Sequence, residues 1–138
     1  MTGETMNIAS IRSGLLAGSI ALGLLAGCAS YEMKSAAAPA RIEGGALVGT
    51  SGMTLYTFDK DAAGSGKSAC NGPCAANWPP HFASDSDSAS GNWSIITRDD
   101  GKKQWAFKGK PLYFWIKDQK PGDKTGDGVN NAWRTAKE

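Results

Sequence analysis

One ten-residue pattern is written twice in this chain of 138 residues. Gly52-x-x-Leu-Tyr-x-Phe-x-x-Asp61 returns as Gly109-x-x-Leu-Tyr-x-Trp-x-x-Asp118. A glycine punctuates a turn, and the β-rich run after it reads as a strand. Alternate strand residues share a face. Tyr56 and Phe58 therefore point one way and Leu55 the other, and Tyr113 and Trp115 stand likewise against Leu112. Phe114 and Ile116 join Leu112, so the second copy reads as a central strand, apolar on both faces. Asp61 and Asp118 fall just past the strand ends, where a carboxylate can cap backbone N–H groups of a turn. After a long loop each copy has a tryptophan, Trp78 and Trp133. Units this small cannot each hold a core, so two related halves are expected to pack as a pseudo-symmetric pair.

The remaining signals agree with a small mainly-β domain of antiparallel sheet with long loops. "ALVG" (46–49), "MTLYTF" (53–58), "WSIITR" (93–98), "KQWAF" (103–107), "PLYFWI" (111–116) and "AWRTA" (132–136) read as strands. The stretch 93–116 reads as a three-stranded antiparallel meander, with "DDG" and "KGK" as its connectors. "CAANWPP" admits one helical turn before Pro79-Pro80 ends it. About six short strands without a long amphipathic helix point to an antiparallel β domain. The five tryptophans are its expected main core contributors.

The N-terminus is a separate object. No residue from Ser13 to Tyr31 is charged, and "LLAGSIALGLLAG" (15–27) follows Arg12 as a signal-peptide core would. Met6 fits as the start of that leader, since Glu4 is out of place in it. A membrane-spanning helix needs about 20 strongly apolar residues, and this run reaches that length only by counting Gly, Ala and Ser. Leu25-Ala26-Gly27-Cys28 resembles the bacterial lipobox. The resemblance implies cleavage before Cys28 and acylation of that cysteine, which would hold the chain to a lipid bilayer. Ala29 after it, by resemblance to envelope lipoproteins, implies outer-membrane sorting. The expected organisation is a signal at 1–27, a lipidated cysteine and flexible tether at 28–44, and a β domain at 45–138.

Cys70 and Cys74 remain after processing. In an oxidising compartment an even pair is by default a disulfide. A redox pair would be spaced Cys-x-x-Cys, and a metal site would want further ligands, with His81 the one histidine. "DKTGDG" places Asp123, Thr125 and Asp127 at alternate positions before Gly128, like the start of a calcium loop, but Arg134 stands where that loop needs a bidentate glutamate. The net charge of +2 is spread without a basic stripe, which argues against nucleic acid. No nucleophile–base constellation is recognisable, which points away from catalysis.

Taken together, the lipobox, the doubled motif, "CNGPCAANWPP" and "PGDKTGDGVNNAW" resemble one bacterial family. These are predicted lipoproteins with a Tyr-x-(Phe/Trp/Tyr)-x-x-Asp motif, also described as a secreted repeat of unknown function. The motif residues carried over are Tyr56, Phe58, Asp61, Cys70, Cys74, Trp78 and Pro79, then Tyr113, Trp115, Asp118 and Trp133. The expected function is a non-catalytic binding or structural module at the cell envelope, with an envelope protein or glycan as partner. The alternative is a metal-binding (calcium or transition metal) or redox-linked envelope protein. Function is expected in the long loops after each copy, and the repeat itself is expected to be architecture. A thiol assay of the native protein should find no reactive Cys70 or Cys74; two free thiols would overturn the disulfide.

Overall fold

The computed structural model describes residues 38–138. The expected signal, Cys28 and most of the tether lie outside the described residues. Seven short strands appear in order: β1 (Ala40–Glu43), β2 (Ala46–Gly49), β3 (Tyr56–Phe58), β4 (Trp93–Thr97), β5 (Lys103–Phe107), β6 (Lys110–Pro111) and β7 (Trp133–Thr135). A single-turn helix, α1 (Pro73–Asn77), and a 3-10 turn at Val129–Asn131 complete the elements. Proline at the first turn of α1 costs no hydrogen bond, because that N–H has no helical partner anyway.

β1 and β2 form an antiparallel hairpin with Ala40 opposite Gly49 and Glu43 opposite Ala46. β1 lies inside the stretch read as tether, so ordered structure begins ahead of Gly45. Its sequence "ARIE" gives little strand signal, and three of its four residues are exposed. It is held by pairing with β2, whose four residues are all buried. β4, β5 and β6 form the expected antiparallel meander. β3 pairs with β7 in antiparallel register, Phe58 opposite Trp133 and Tyr56 opposite Thr135. The last strand of the second half thus closes on the motif strand of the first.

The second motif copy departs from the expected central strand. Regular pairing stops at Pro111, and Tyr113 then bridges Tyr56 on one side and Pro80 on the other. Pro79 and Pro80 have no N–H to donate, so only their carbonyl side can continue the ladder. Phe114 N–H bonds to the Pro79 carbonyl at 2.7 Å and Ile116 N–H to the Asn77 carbonyl at 3.1 Å. Ile116 itself is 58 % exposed, so it does not join Leu112 in the interior.

The strand parity holds at the motif. One apolar cluster contains Tyr56, Phe58, Cys70, Trp78, Tyr113 and Trp133. A second contains Ala40, Leu47, Leu55, Leu112 and Ala136. The two halves meet through reciprocal backbone bonds, Tyr56 N–H to the Tyr113 carbonyl at 2.8 Å and Tyr113 N–H to the Tyr56 carbonyl at 3.0 Å. The flanking bonds repeat the symmetry. Ala136 N–H donates to the Leu55 carbonyl at 2.8 Å, and His81 N–H donates to the Leu112 carbonyl at 2.9 Å. Reciprocity of this kind is what an approximate twofold between the copies produces.

The glycine that opens the second copy has two jobs. Gly109 sits at φ 80°, and a Cβ there would lie 2.6 Å from the Gly64 backbone nitrogen. Gly64 N–H in turn bonds to the Gly109 carbonyl at 2.9 Å, pinning the first long loop to the second half. Gly101→Ala, at φ 84° with open space around it, should cost only about 1–2 kcal/mol of left-handed strain. Gly109→Ala should add about 1–3 kcal/mol of crowding to a similar strain. Urea midpoints for the two variants measure the difference, and equal midpoints would remove the role assigned to the Gly64 contact.

Candidate functional site

Each motif tyrosine bonds to the aspartate of the other copy. Tyr56 donates its hydroxyl to Asp118 Oδ2 at 2.6 Å, and Tyr113 donates to Asp61 Oδ2 at 2.6 Å. Both tyrosines are fully buried, and both carboxylates are buried with them. The second oxygen of each carboxylate secures the loop that follows it. Asp61 Oδ1 accepts the Ala69 N–H at 2.6 Å, and Asp118 Oδ1 accepts the Thr125 N–H at 3.0 Å and the Thr125 hydroxyl at 2.5 Å. The caps expected at the strand ends are therefore real. The crossing of the phenols was not visible in the sequence, because it depends on how the halves pack.

The phenol oxygens are also contacted from the loops. Ser68 Oγ lies 2.6 Å from Tyr113 Oη, and the Gly126 N–H donates to Tyr56 Oη at 3.3 Å. Gly126 has no room for a side chain, since a Cβ would come within 2.9 Å of Trp78 and Tyr56 ring atoms. Ser68 and Thr125, both outside the quoted motif, follow their aspartates at the same spacing. For Ser68 that shared spacing is the one available signal, whereas Thr125 also stands in the apparent calcium loop.

Burial pushes both tyrosine hydroxyls well above their ordinary range, and the hydrogen bonds to Asp118 and Asp61 push the same way. The Asp61 carboxyl is raised as well, chiefly by burial. Tyr113, the Ala69 N–H, Lys110 and Arg98 oppose that rise. Arg98 is itself buried at the end of β4. Its guanidinium donates to Ser68 Oγ at 2.9 Å, Gln104 Oε1 at 2.8 Å and the Cys70 carbonyl at 2.6 Å. Gln104 then donates to the Leu112 carbonyl at 2.7 Å, which ties the network to the second motif strand. Neither residue was singled out from sequence, where a basic strand-end residue reads as surface.

Beneath the tyrosines lies a column of four aromatic rings in the order Phe58, Trp133, Trp78, Trp115. Successive centroids are 4.3, 3.7 and 4.0 Å apart, and the two central indoles are tilted by only 3°. Tyr113 stands edge-on to Trp133 at 5.1 Å and Tyr56 edge-on to Trp78 at 5.4 Å. Each tyrosine thus stands on the tryptophan of its own half, while the stacked pairs Phe58–Trp133 and Trp78–Trp115 cross between the halves. Offset and edge-to-face contacts are favoured for isolated rings, so the close face-to-face indoles are held together by the surrounding pairings.

Cys70 and Cys74 are joined in a disulfide at the start of α1. Cys70 is fully buried in the aromatic cluster, and Cys74 packs against it. The residues read as a calcium loop are otherwise engaged. Asp123 Oδ2 accepts the N–H groups of Gln119 and Lys120, Thr125 is bound to Asp118, and Asp127 Oδ1 accepts the Thr135 N–H. Among the described residues, no group of three or more His, Cys, Asp and Glu side chains is arranged to hold a metal ion. His81 bonds through Nε2 to the Pro39 carbonyl at 2.9 Å and packs edge-on to Phe114, and burial lowers its basicity.

The twofold geometry coincides with a match in sequence space. A family model described as a secreted repeat of unknown function matches residues 40–81 and again 94–137. The chain belongs to that family. Its two matches are the two halves related by the Tyr56–Tyr113 bridge. No curated protein and no solved structure matches the chain.

Within this secreted-repeat domain the tyrosines link stability to alkaline pH. Their folded pKa values lie above the ordinary value of about 10, so above that pH the folded chain holds protons that the unfolded chain releases. The stabilisation is complete below about pH 10 and is lost as pH rises from there through the folded values. Tyr56→Phe and Tyr113→Phe should each cost about 2 kcal/mol at neutral pH, because each leaves a buried carboxylate short of a partner. Both should also flatten the alkaline fall. Chemical denaturation between neutral pH and pH 11 checks both outcomes, and an unchanged alkaline slope would count against the buried pairing.

Proposed function

We propose that this secreted-repeat protein is a membrane-anchored envelope lipoprotein whose β domain is a non-catalytic binding or structural module. The observation that carries this reading is the internal use of its reactive chemistry. Both motif carboxylates and both motif hydroxyls bond to one another across the halves. Among the described residues, every buried side-chain polar atom has a hydrogen-bond partner. A general acid or base needs a lone pair or proton facing substrate, and these four groups are turned away from solvent.

A groove of about 360 Å3 supplies the surface for binding. Phe58, Trp78 and Trp133 form its floor, and Lys60, Asn77 and Asn130 bring polar groups to its walls. An apolar floor with a few amides suits an envelope glycan or an extended peptide. Cys28, once acylated, would anchor the domain in the bilayer, with the segment ahead of β1 as tether and the outer membrane as the site implied by Ala29.

Mass spectrometry of the mature protein should find an acylated Cys28 at its N-terminus; an intact Met1 or Met6 would refute the anchor. Isolated cell-wall sacculi should retain the purified protein and shift its tryptophan emission, and Asn77→Ala with Lys60→Ala should weaken both effects. Retention unaffected by the pair of substitutions would remove the groove from the proposal.

A further inference from the structure

The aromatic column has a second property besides lining the groove. Three of its four rings are indoles in face contact, and it runs from the buried tyrosines to Trp115. Trp115 is only partly buried, with the Lys117 ammonium 5.6 Å from its ring centre. At its inner end Tyr113 is fully buried and hydrogen-bonded to a carboxylate at 2.6 Å. Indole and phenol are the readily oxidised aromatic side chains, and a phenol gives up an electron far more easily when its proton has an acceptor in place.

We propose that Trp115, Trp78, Trp133 and Tyr113 form a one-electron relay that carries an oxidising equivalent from the surface to a tyrosine–carboxylate pair. The partner is a one-electron oxidant of the metal-complex class, acting at Trp115 from solvent. It takes one electron from the Trp115 indole and is itself reduced by one. Trp78 refills Trp115, Trp133 refills Trp78, and Tyr113 refills Trp133, each passing a single electron outward. As Tyr113 loses its electron, the O–H bond breaks and the proton moves to Asp61 Oδ2. The products are a neutral tyrosyl radical, a protonated Asp61 and the reduced metal complex. One electron from a reductant returned along the column, with the proton moving back, restores the start.

The surroundings suit this step. Burial already raises the Asp61 carboxyl, so protonation there is favoured relative to an exposed aspartate. Ser68 Oγ lies within hydrogen-bond distance of Tyr113 Oη and can donate to the phenoxyl oxygen once the proton has left. Tyr56 and Asp118 offer a mirrored branch from Trp78. Trp78 and Trp133 also line the groove, and the relay through them stands whether or not any ligand occupies it.

The test uses the full chain carrying Tyr31→Phe, which removes the tyrosine outside the described residues. Flash-generated ruthenium(III) polypyridyl serves as oxidant, with transient absorption and electron paramagnetic resonance as readouts. A neutral tyrosyl radical should follow a tryptophan radical in time. Trp115→Phe should lose most of the tyrosyl signal, and Tyr56→Phe with Tyr113→Phe should leave a longer-lived tryptophan radical. Asp61→Asn on the Tyr56→Phe background, whose fold is checked by circular dichroism, should abolish the tyrosyl radical while the tryptophan radical persists. A tyrosyl yield indifferent to Trp115→Phe, or radicals confined to Trp93 and Trp105, would overturn the relay.

Discussion

Two hydrogen bonds of 2.6 Å organise this domain, from Tyr56 to Asp118 and from Tyr113 to Asp61. Each joins one half to the other, so a buried tyrosine hydroxyl and one oxygen of a buried carboxylate in each half take their partner from the other half. An unpaired group of either kind would carry its full desolvation cost. The halves are therefore bound to each other by polar necessity as well as by apolar burial. The same carboxylates reach back with their second oxygens to Ala69 and Thr125, so the long loops are fastened to the crossing. The loops expected to carry function alone are also the structures that complete the tyrosine sites.

The aromatic column obeys the same logic of exchange. Phe58 stacks on Trp133 and Trp115 on Trp78, each ring on a partner from the other copy. The two tryptophans of the late loops meet at the centre, 3.7 Å apart. Short strands supply few ladder bonds, so a domain built this way depends on large rings for its interior. The disulfide adds a local staple beside that interior rather than a long-range one.

The symmetry is broken where the halves differ in chemistry. Around Tyr113 the loop contributes a serine hydroxyl, and a buried arginine approaches through it; around Tyr56 it contributes a backbone N–H from Gly126. The two positions are equivalent in the repeat and electrostatically unlike in their surroundings. On the Tyr113 side positive charge lies near the carboxylate, from Lys110 and Arg98.

Local pattern alone determined a good deal. Period-two alternation separated Tyr56 and Tyr113 from Leu55 and Leu112, because side-chain direction in a strand is a property of neighbouring residues. The doubled motif announced two related halves, and the turn residues marked the meander of β4, β5 and β6. β1 escaped notice because "ARIE" becomes a strand only by pairing with β2. The expected central strand at 111–116 was cut short by Pro79 and Pro80, whose position beside it no local rule reveals. In the apparent calcium loop Asp123, Thr125 and Asp127 each bond to a different partner, a division that spacing alone does not reveal. Only the tertiary structure decided which tyrosine meets which aspartate. Sequence spacing places Tyr56 beside Asp61, and the packing of the halves carries its hydroxyl to Asp118, 62 residues away.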